Sequence, residues 1–427
     1  MQVVLGCHVM TVIDRWWIVI AAVTACSFAS LASLAAQPDE PWSRWRGADG
    51  AGMGGDARFS VEWADGDWAW TADLPGTGNA SPVVWQNHVY NASADVDAGV
   101  RTITCHDLAD GRLLWAREFP GAIDPHHVQN SSASGSVAAD VHGIYWMWGT
   151  RERSRVESLD HDGKSRWHMD LGPFAAQHGY GATPTVCRDV LIVPDSQDAT
   201  SRVLGLDAAS GRERWRLERK PAKADYSTPL VMDRDGEPPV VILTSMGHGV
   251  TAVDGFTGKV LWEERCLPKR AVSSPITAGD LLIGTSGDGG GDNTLVAVRP
   301  PEGEGAPKVA YTLDRSIAPY VPTPLHVDGL VYLWNDRGVV TCIRAATGET
   351  VWRGRVGGTY YASPIAAGGT VRNISVDGEA VTIRAGEAFE VLGRTDLGEP
   401  SRSTPAVVGR RMVFRTVGRL MALDAEP

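Results

Sequence analysis

Ala252-Val253-Asp254-Gly255-Phe256-Thr257-Gly258-Lys259-Val260-Leu261-Trp262 decides the fold, because its pattern returns along the chain. It reads as a short apolar strand, a tight turn closed by glycine, and a second strand carrying a tryptophan. Leu206-Asp207-Ala208-Ala209-Ser210-Gly211 leading to Trp215 repeats it, as do Asp107 to Gly111 with Trp115, and Ala345-Ala346-Thr347-Gly348 with Trp352. Asp160 to Gly163 with Trp167 is a version one residue shorter. Glycine in such turns reaches positive φ, which a β-branched residue does not.

Upstream of each turn lies a second repeated mark, a small residue followed by proline. It occurs as Ser81-Pro82, Thr183-Pro184, Thr228-Pro229, Ser274-Pro275, Thr323-Pro324, Ser363-Pro364 and Thr404-Pro405. Ala133-Ser134-Gly135-Ser136-Val137 is a degenerate eighth copy, giving anchors at 82, 135, 184, 229, 275, 324, 364 and 405. The spacing of 40 to 53 residues suits a unit of four short strands. Such a sheet cannot bury both faces alone, so copies stack, and radial stacking gives an all-β, eight-bladed β-propeller of four-stranded antiparallel blades. No stretch after the leader holds a helical apolar period. The last copy stops at Leu420-Met421-Ala422-Leu423-Asp424, lacking its outer strand, and Trp68-Ala69-Trp70-Thr71 has the missing character. An N-terminal strand is therefore expected to close the ring. Residues 36–66 read as a lead-in wrapped on the surface, and 67–427 as the propeller.

Composition agrees with a globular, turn-rich chain: of 427 residues, 43% are hydrophobic and 21% charged, with 48 glycines and 25 prolines. That excludes collagen, coiled coil, extended disorder and a multi-span membrane protein. A formal charge of -11, with 40 basic residues spread evenly along the chain, argues against nucleic acid as a partner. Residues 1–35 read as a signal peptide with no membrane span. Two exits stand open: cleavage after Ser33-Leu34-Ala35, or a lipobox-like Val23-Thr24-Ala25-Cys26 whose Cys26 carries a lipid anchor. The conventional leader start at Met10 leaves open whether the chain begins there or at Met1. Either way the expected location is outside the cytoplasm, periplasmic or at the envelope. Cys105, Cys187, Cys266 and Cys342 are at least 76 residues apart, so they read as small buried hydrophobes with free thiols rather than a metal or redox site.

These repeats resemble the quinoprotein-type propeller family, named after pyrroloquinoline quinone (PQQ), whose motif Ala-x-Asp-x-x-Thr-Gly-x-x-x-Trp is matched from Ala252 to Trp262. The resemblance covers essentially the whole mature chain and implies that Trp70, Trp115, Trp167, Trp215, Trp262 and Trp352 dock neighbouring blades. It implies two functional classes. Enzymes of the family hold the quinone and a calcium ion over the funnel, commonly beneath an adjacent Cys-Cys disulfide, which this sequence lacks. The shorter, exported branch is non-catalytic and includes BamB. Trp42-Ser43-Arg44-Trp45-Arg46-Gly47 resembles exported propellers of Planctomycetes-type bacteria. The expectation is thus a monomeric scaffold for cell-envelope proteins, without cofactor. The alternative is a PQQ-dependent alcohol or sugar dehydrogenase.

A site belongs on the face shared by blade crossovers and second-to-third strand turns. His126, His127, Asn130, His178, Tyr180, Asp198, His248 and Tyr320 map there as ligand-face candidates, with Asp195, Arg270 and Tyr361. Adjacent histidines on one strand would point oppositely, which disfavours His126-His127 as a metal pair. Asp288 and Asp292, in an oxygen-rich glycine loop, are calcium candidates without the spacing of an EF-hand. Nothing resembles a Ser-His-Asp order, a phosphate loop or HExxH, so hydrolase and nucleotide readings have no basis.

Overall fold

The structure is a computed structural model describing residues 41–427 except 125, 199, 221, 289, 290 and 304. The signal-peptide expectations, Cys26 included, lie outside the described residues. Eight four-stranded antiparallel sheets follow one another. Blades 1 to 7 span 83–120, 138–172, 185–219, 230–264, 276–313, 325–355 and 365–396. Blade 8 takes three strands from 406–424 and its outermost from Trp68–Asp73, which pairs antiparallel with Arg419–Asp424. The N-terminal strand therefore closes the ring, as the truncated last repeat requires. No helix of the described residues is long and apolar enough to cross a membrane.

The turn motif works between blades. Trp70, Trp115, Trp167, Trp215 and Trp352 donate their indole N–H to Leu108, His161, Ala208, Gly255 and Gly386 carbonyls in the next blade, at 2.8–3.1 Å. The turn glycines have φ near +70° to +80°, and a Cβ on Gly163 or Gly258 would collide with the ring of Trp115 or Trp215. One glycine thus serves the turn and clears space for the neighbour's indole. Across the strand pair, Cys105, Ser158, Gly205, Ala252 and Cys342 face the tryptophans, small residues opposite large rings. All four described cysteines are free, and Cys105, Cys187 and Cys342 are buried. In blade 5 Tyr311 replaces tryptophan, its hydroxyl reaching Ala345 O at 2.8 Å.

The Ser/Thr-Pro anchors form a second ring. Seven of the eight hydroxyls accept the amide of their counterpart in the preceding blade: Ser81 to Ser136, Ser136 to Thr183, Thr228 to Ser274, Ser274 to Thr323, Thr323 to Ser363, Ser363 to Thr404, and Thr404 back to Ser81, all at 2.8–3.1 Å. Ser136 and Val137 occupy the anchor places in blade 2, so the degenerate copy is centred at 137 rather than at Gly135.

The lead-in runs along the outside only in its second half, where Ser60 O accepts from Arg372, Trp63 N–H donates to Thr395 Oγ1 and the Trp63 ring meets Phe414, against blades 7 and 8. Residues 42–54 thread the propeller axis: Trp42 bridges Val84, Ser43 O accepts Ala139 N–H, and Met53 bridges Ala366, all on innermost strands. Arg46, fully buried, donates to Thr323 O, Pro324 O and Pro364 O at 3.0–3.2 Å. Glycines shape the loop around the guanidinium, and a Cβ on Gly52 would sit 2.8 Å from Arg46 Nη2. The axis is narrow and lined by backbone carbonyls, which a planar five-donor cation satisfies and an apolar side chain does not.

Candidate functional site

On the crossover face the ring opens into a funnel of about 990 Å³ above Trp45 and the anchor hydroxyls. Every innermost strand begins at this floor, so the wall is built from crossovers and from turns between second and third strands.

His127, Asn130, His178, Tyr320 and Asp288 line the funnel, as does Tyr361. The His127 and His178 rings meet edge to face with centroids 4.8 Å apart. Asn130 Nδ2 donates to His178 O and Tyr180 O at 2.8 and 2.9 Å, tying the first two crossovers together. Burial, then the nearby Arg270 guanidinium and His127, hold the His178 pKa below its ordinary value. Such an imidazole is neutral at physiological pH.

The remaining candidates serve elsewhere. His126 and Tyr180 border a neighbouring pocket of about 60 Å³. Tyr180 meets Phe174 edge to face, centroids 4.7 Å apart, with its hydroxyl buried and unpartnered among the described residues. Asp198 accepts Gln177 N–H and Ala224 N–H at 3.1 and 2.7 Å, stapling two crossovers. His248 is bonded at both nitrogens, to Glu263 Oε2 and Lys220 N–H, away from the funnel. Asp195 is buried against Arg202 and Gln197. Arg270 is buried, 5.7 Å from the centroid of the Tyr226 ring.

The calcium candidates are neutralised by a side chain. Lys269 Nζ lies 2.7 Å from Asp288 and 3.7 Å from Asp292, and Arg315 is 3.9 Å from Asp292. Asp336, which sequence reasoning missed, accepts Tyr320 N–H and Val321 N–H at 2.9 and 3.1 Å, and burial raises its pKa. No three His, Cys, Asp or Glu side chains converge as metal ligands among the described residues. The lining does not fit a calcium-quinone pair: its acids are engaged, and Cys105, Cys187, Cys266 and Cys342 are not among the lining residues.

Also missed were five arginines on the funnel wall: Arg315, Arg337, Arg353, Arg355 and Arg402. They come from the blade 5–6 crossover, a blade 6 turn, the end of the outer blade 6 strand and the blade 7–8 crossover. Basic residues spread evenly in sequence are therefore concentrated in space, because crossovers, a turn and a strand end of blades 5 to 8 open onto one rim.

The sequence model of the family described as outer membrane protein assembly factor BamB matches residues 99–237 and 291–427. No curated protein sequence matches. Among solved structures, BamB from Moraxella catarrhalis is similar at TM-score 0.60 and 15% identity, over 83% of this chain and 96% of that one. Quinohemoprotein alcohol dehydrogenase from Comamonas testosteroni reaches 0.61 at 14%, over 90% and 80%. The computationally designed Ika8 protein reaches 0.56 at 13%, over 84% and 99%. A scaffold of design, an assembly factor and an enzyme share this architecture, so the likeness speaks for fold and the site must speak for function.

Proposed function

The chain belongs to the BamB family of PQQ-type repeat propellers, and from that premise we propose that it is an exported, non-catalytic scaffold that presents its funnel face to a cell-envelope protein. The observation that carries this reading is the state of the funnel carboxylates. Asp288 is held by Lys269, and Asp336 is buried against two amides. A quinone-dependent oxidation needs a free base and a cation beside the cofactor, whereas a scaffold needs contact area and complementary charge.

The test is to add PQQ and calcium to purified protein and follow reduction of an artificial electron acceptor with alcohols and aldoses. No turnover is expected, and turnover on any of them overturns the scaffold reading. Export is tested separately by cell fractionation of the full chain and of Cys26→Ser. Full-length protein should leave the cytoplasm. Release of the variant from the membrane fraction supports lipidation, because acyl chains supply the anchor.

A further inference from the structure

We propose that the funnel is a docking site for an acidic, extended segment of a protein partner, gripped by Arg337, Arg353, Arg355 and Arg402. This rests on the scaffold reading and adds the chemistry of the partner.

The first support is unspent charge. Away from the funnel several arginines are paired: Arg214 with Asp189 and Asp207, Arg216 with Glu213, Arg384 with Glu390, Arg394 with Glu379. Among the described residues no carboxylate lies within 4.0 Å of the four funnel arginines. Arg353 Nη2 donates to Ser316 O at 2.9 Å and Arg402 Nη2 to Gln129 Oε1 at 3.3 Å. These neutral acceptors position Arg353 and Arg402 with no carboxylate in contact, while Arg337 acts on the buried Asp336 only through space. Arg402 Nε is buried with no partner among the described residues.

The second support is the floor. Ser136, Thr323, Ser363 and Thr404 accept amides through their oxygens, and no described residue takes the hydroxyl protons. The funnel thus offers hydrogen-bond donors in its depth and cations on its wall. Lys269 and the backbone amides have already answered its two acids.

The third is contrast with the rest of the molecule. The chain carries -11 overall, so this cationic wall is opposite in sign to the whole. An acidic segment is repelled elsewhere and drawn here, which gives orientation as well as attraction. The donors spread over blades 6 to 8 instead of converging on one point, a geometry suited to carboxylates spaced along a chain. Guanidinium forks match carboxylates in bidentate fashion. A cavity of about 990 Å³ is at the upper end for one small ligand. Tyr226, Tyr320 and Tyr361 on the wall provide the apolar and aromatic surface on which peptide side chains pack.

The test is fluorescence anisotropy with a short labelled peptide alternating Glu and Tyr, against a counterpart alternating Lys and Tyr. The acidic peptide should bind and the basic one should not. Raising salt from about 0.05 to about 0.5 M should weaken binding about tenfold or more. The triple variant Arg337→Ala, Arg353→Ala, Arg355→Ala should lose about tenfold or more, with the Arg→Lys triple retaining part of the affinity. Arg384→Ala, at the end of the third strand of blade 7 and outside the funnel lining, should change nothing, and thermal melting of each variant verifies folding. Absence of acidic-peptide binding overturns the proposal, as does binding unaffected by the alanine triple. Binding of polygalacturonate without the peptide overturns it in favour of an anionic polysaccharide. Failure of peptide binding without quinone turnover sinks this inference alone, whereas turnover sinks the scaffold reading beneath it.

Discussion

Thr404 shows how one side chain ties sequence to closure. Its hydroxyl accepts Ser363 N–H while its own amide donates to Ser81 Oγ, so blades 7, 8 and 1 meet at one residue. Thr404→Val keeps the shape and leaves the Ser363 amide buried without an acceptor. The expected cost is about 1–3 kcal/mol, read as a lower urea midpoint with unchanged slope. Asp225 offers a second residue-scale test. Burial, outweighing the amides of Ala271 and Met246 that it accepts, pushes its pKa up to about 7. An acid with a raised folded pKa contributes stability below its unfolded pKa, near 4, and that contribution is lost as pH rises through 7. Asn at 225 can still accept both amides and donate to Ser196 Oγ. Asp225→Asn should therefore raise the melting temperature at pH 8 and leave it nearly unchanged at pH 4. An equal shift at both pH values would contradict the assignment.

The tryptophan strand is the element that holds neighbouring blades, but the six rings are unequal. Trp215 is 7% exposed and bonded to Gly255 O, while Trp262 is half-buried and its indole has no partner among the described residues. Trp215→Ala should cost about 3–5 kcal/mol and Trp262→Ala distinctly less, as urea midpoints will show. The motif was readable because turn, glycine and tryptophan lie within nine residues, from Asp254 to Trp262. Blade 2 was misplaced by two residues because Val137 replaces the proline that marks the other anchors. The hydroxyl ring itself was hidden, since its links join residues 40 to 55 positions apart, and 323 apart where Thr404 meets Ser81. The funnel arginines were hidden for the same reason: Arg315 and Arg402 are 87 positions apart in sequence and share a wall only once the blades are stacked.

At the scale of the molecule, one N-terminal segment performs two closures. Residues 42–54 fill the axis, and Trp68–Asp73 completes blade 8, so ring closure and axial filling are covalently linked. Deleting 41–73 should leave the edge of Arg419–Asp424 unpaired and yield insoluble protein. The axial role was illegible beforehand because Arg46 meets carbonyls 277 to 318 residues away. Those contacts also separate charge from shape as the reason for arginine there. Among the described residues Arg46 has no acidic partner in contact, and burial lowers its pKa to about 9, so it stays cationic at neutral pH with carbonyl dipoles as its counter-charge. Lysine supplies the charge as a compact point, which cannot reach blades 6 and 7 while also bonding Ala51 O in its own loop. Methionine supplies neither, and removes the donor from five carbonyls, those of Gly50, Ala51, Thr323, Pro324 and Pro364. Arg46→Lys should therefore destabilise the ring by about 1–3 kcal/mol and Arg46→Met by more, with both measured as shifts in urea midpoint. If Lys proves as stable as Arg, charge alone fills the axis. If Met does as well, the segment passes through the propeller without holding it.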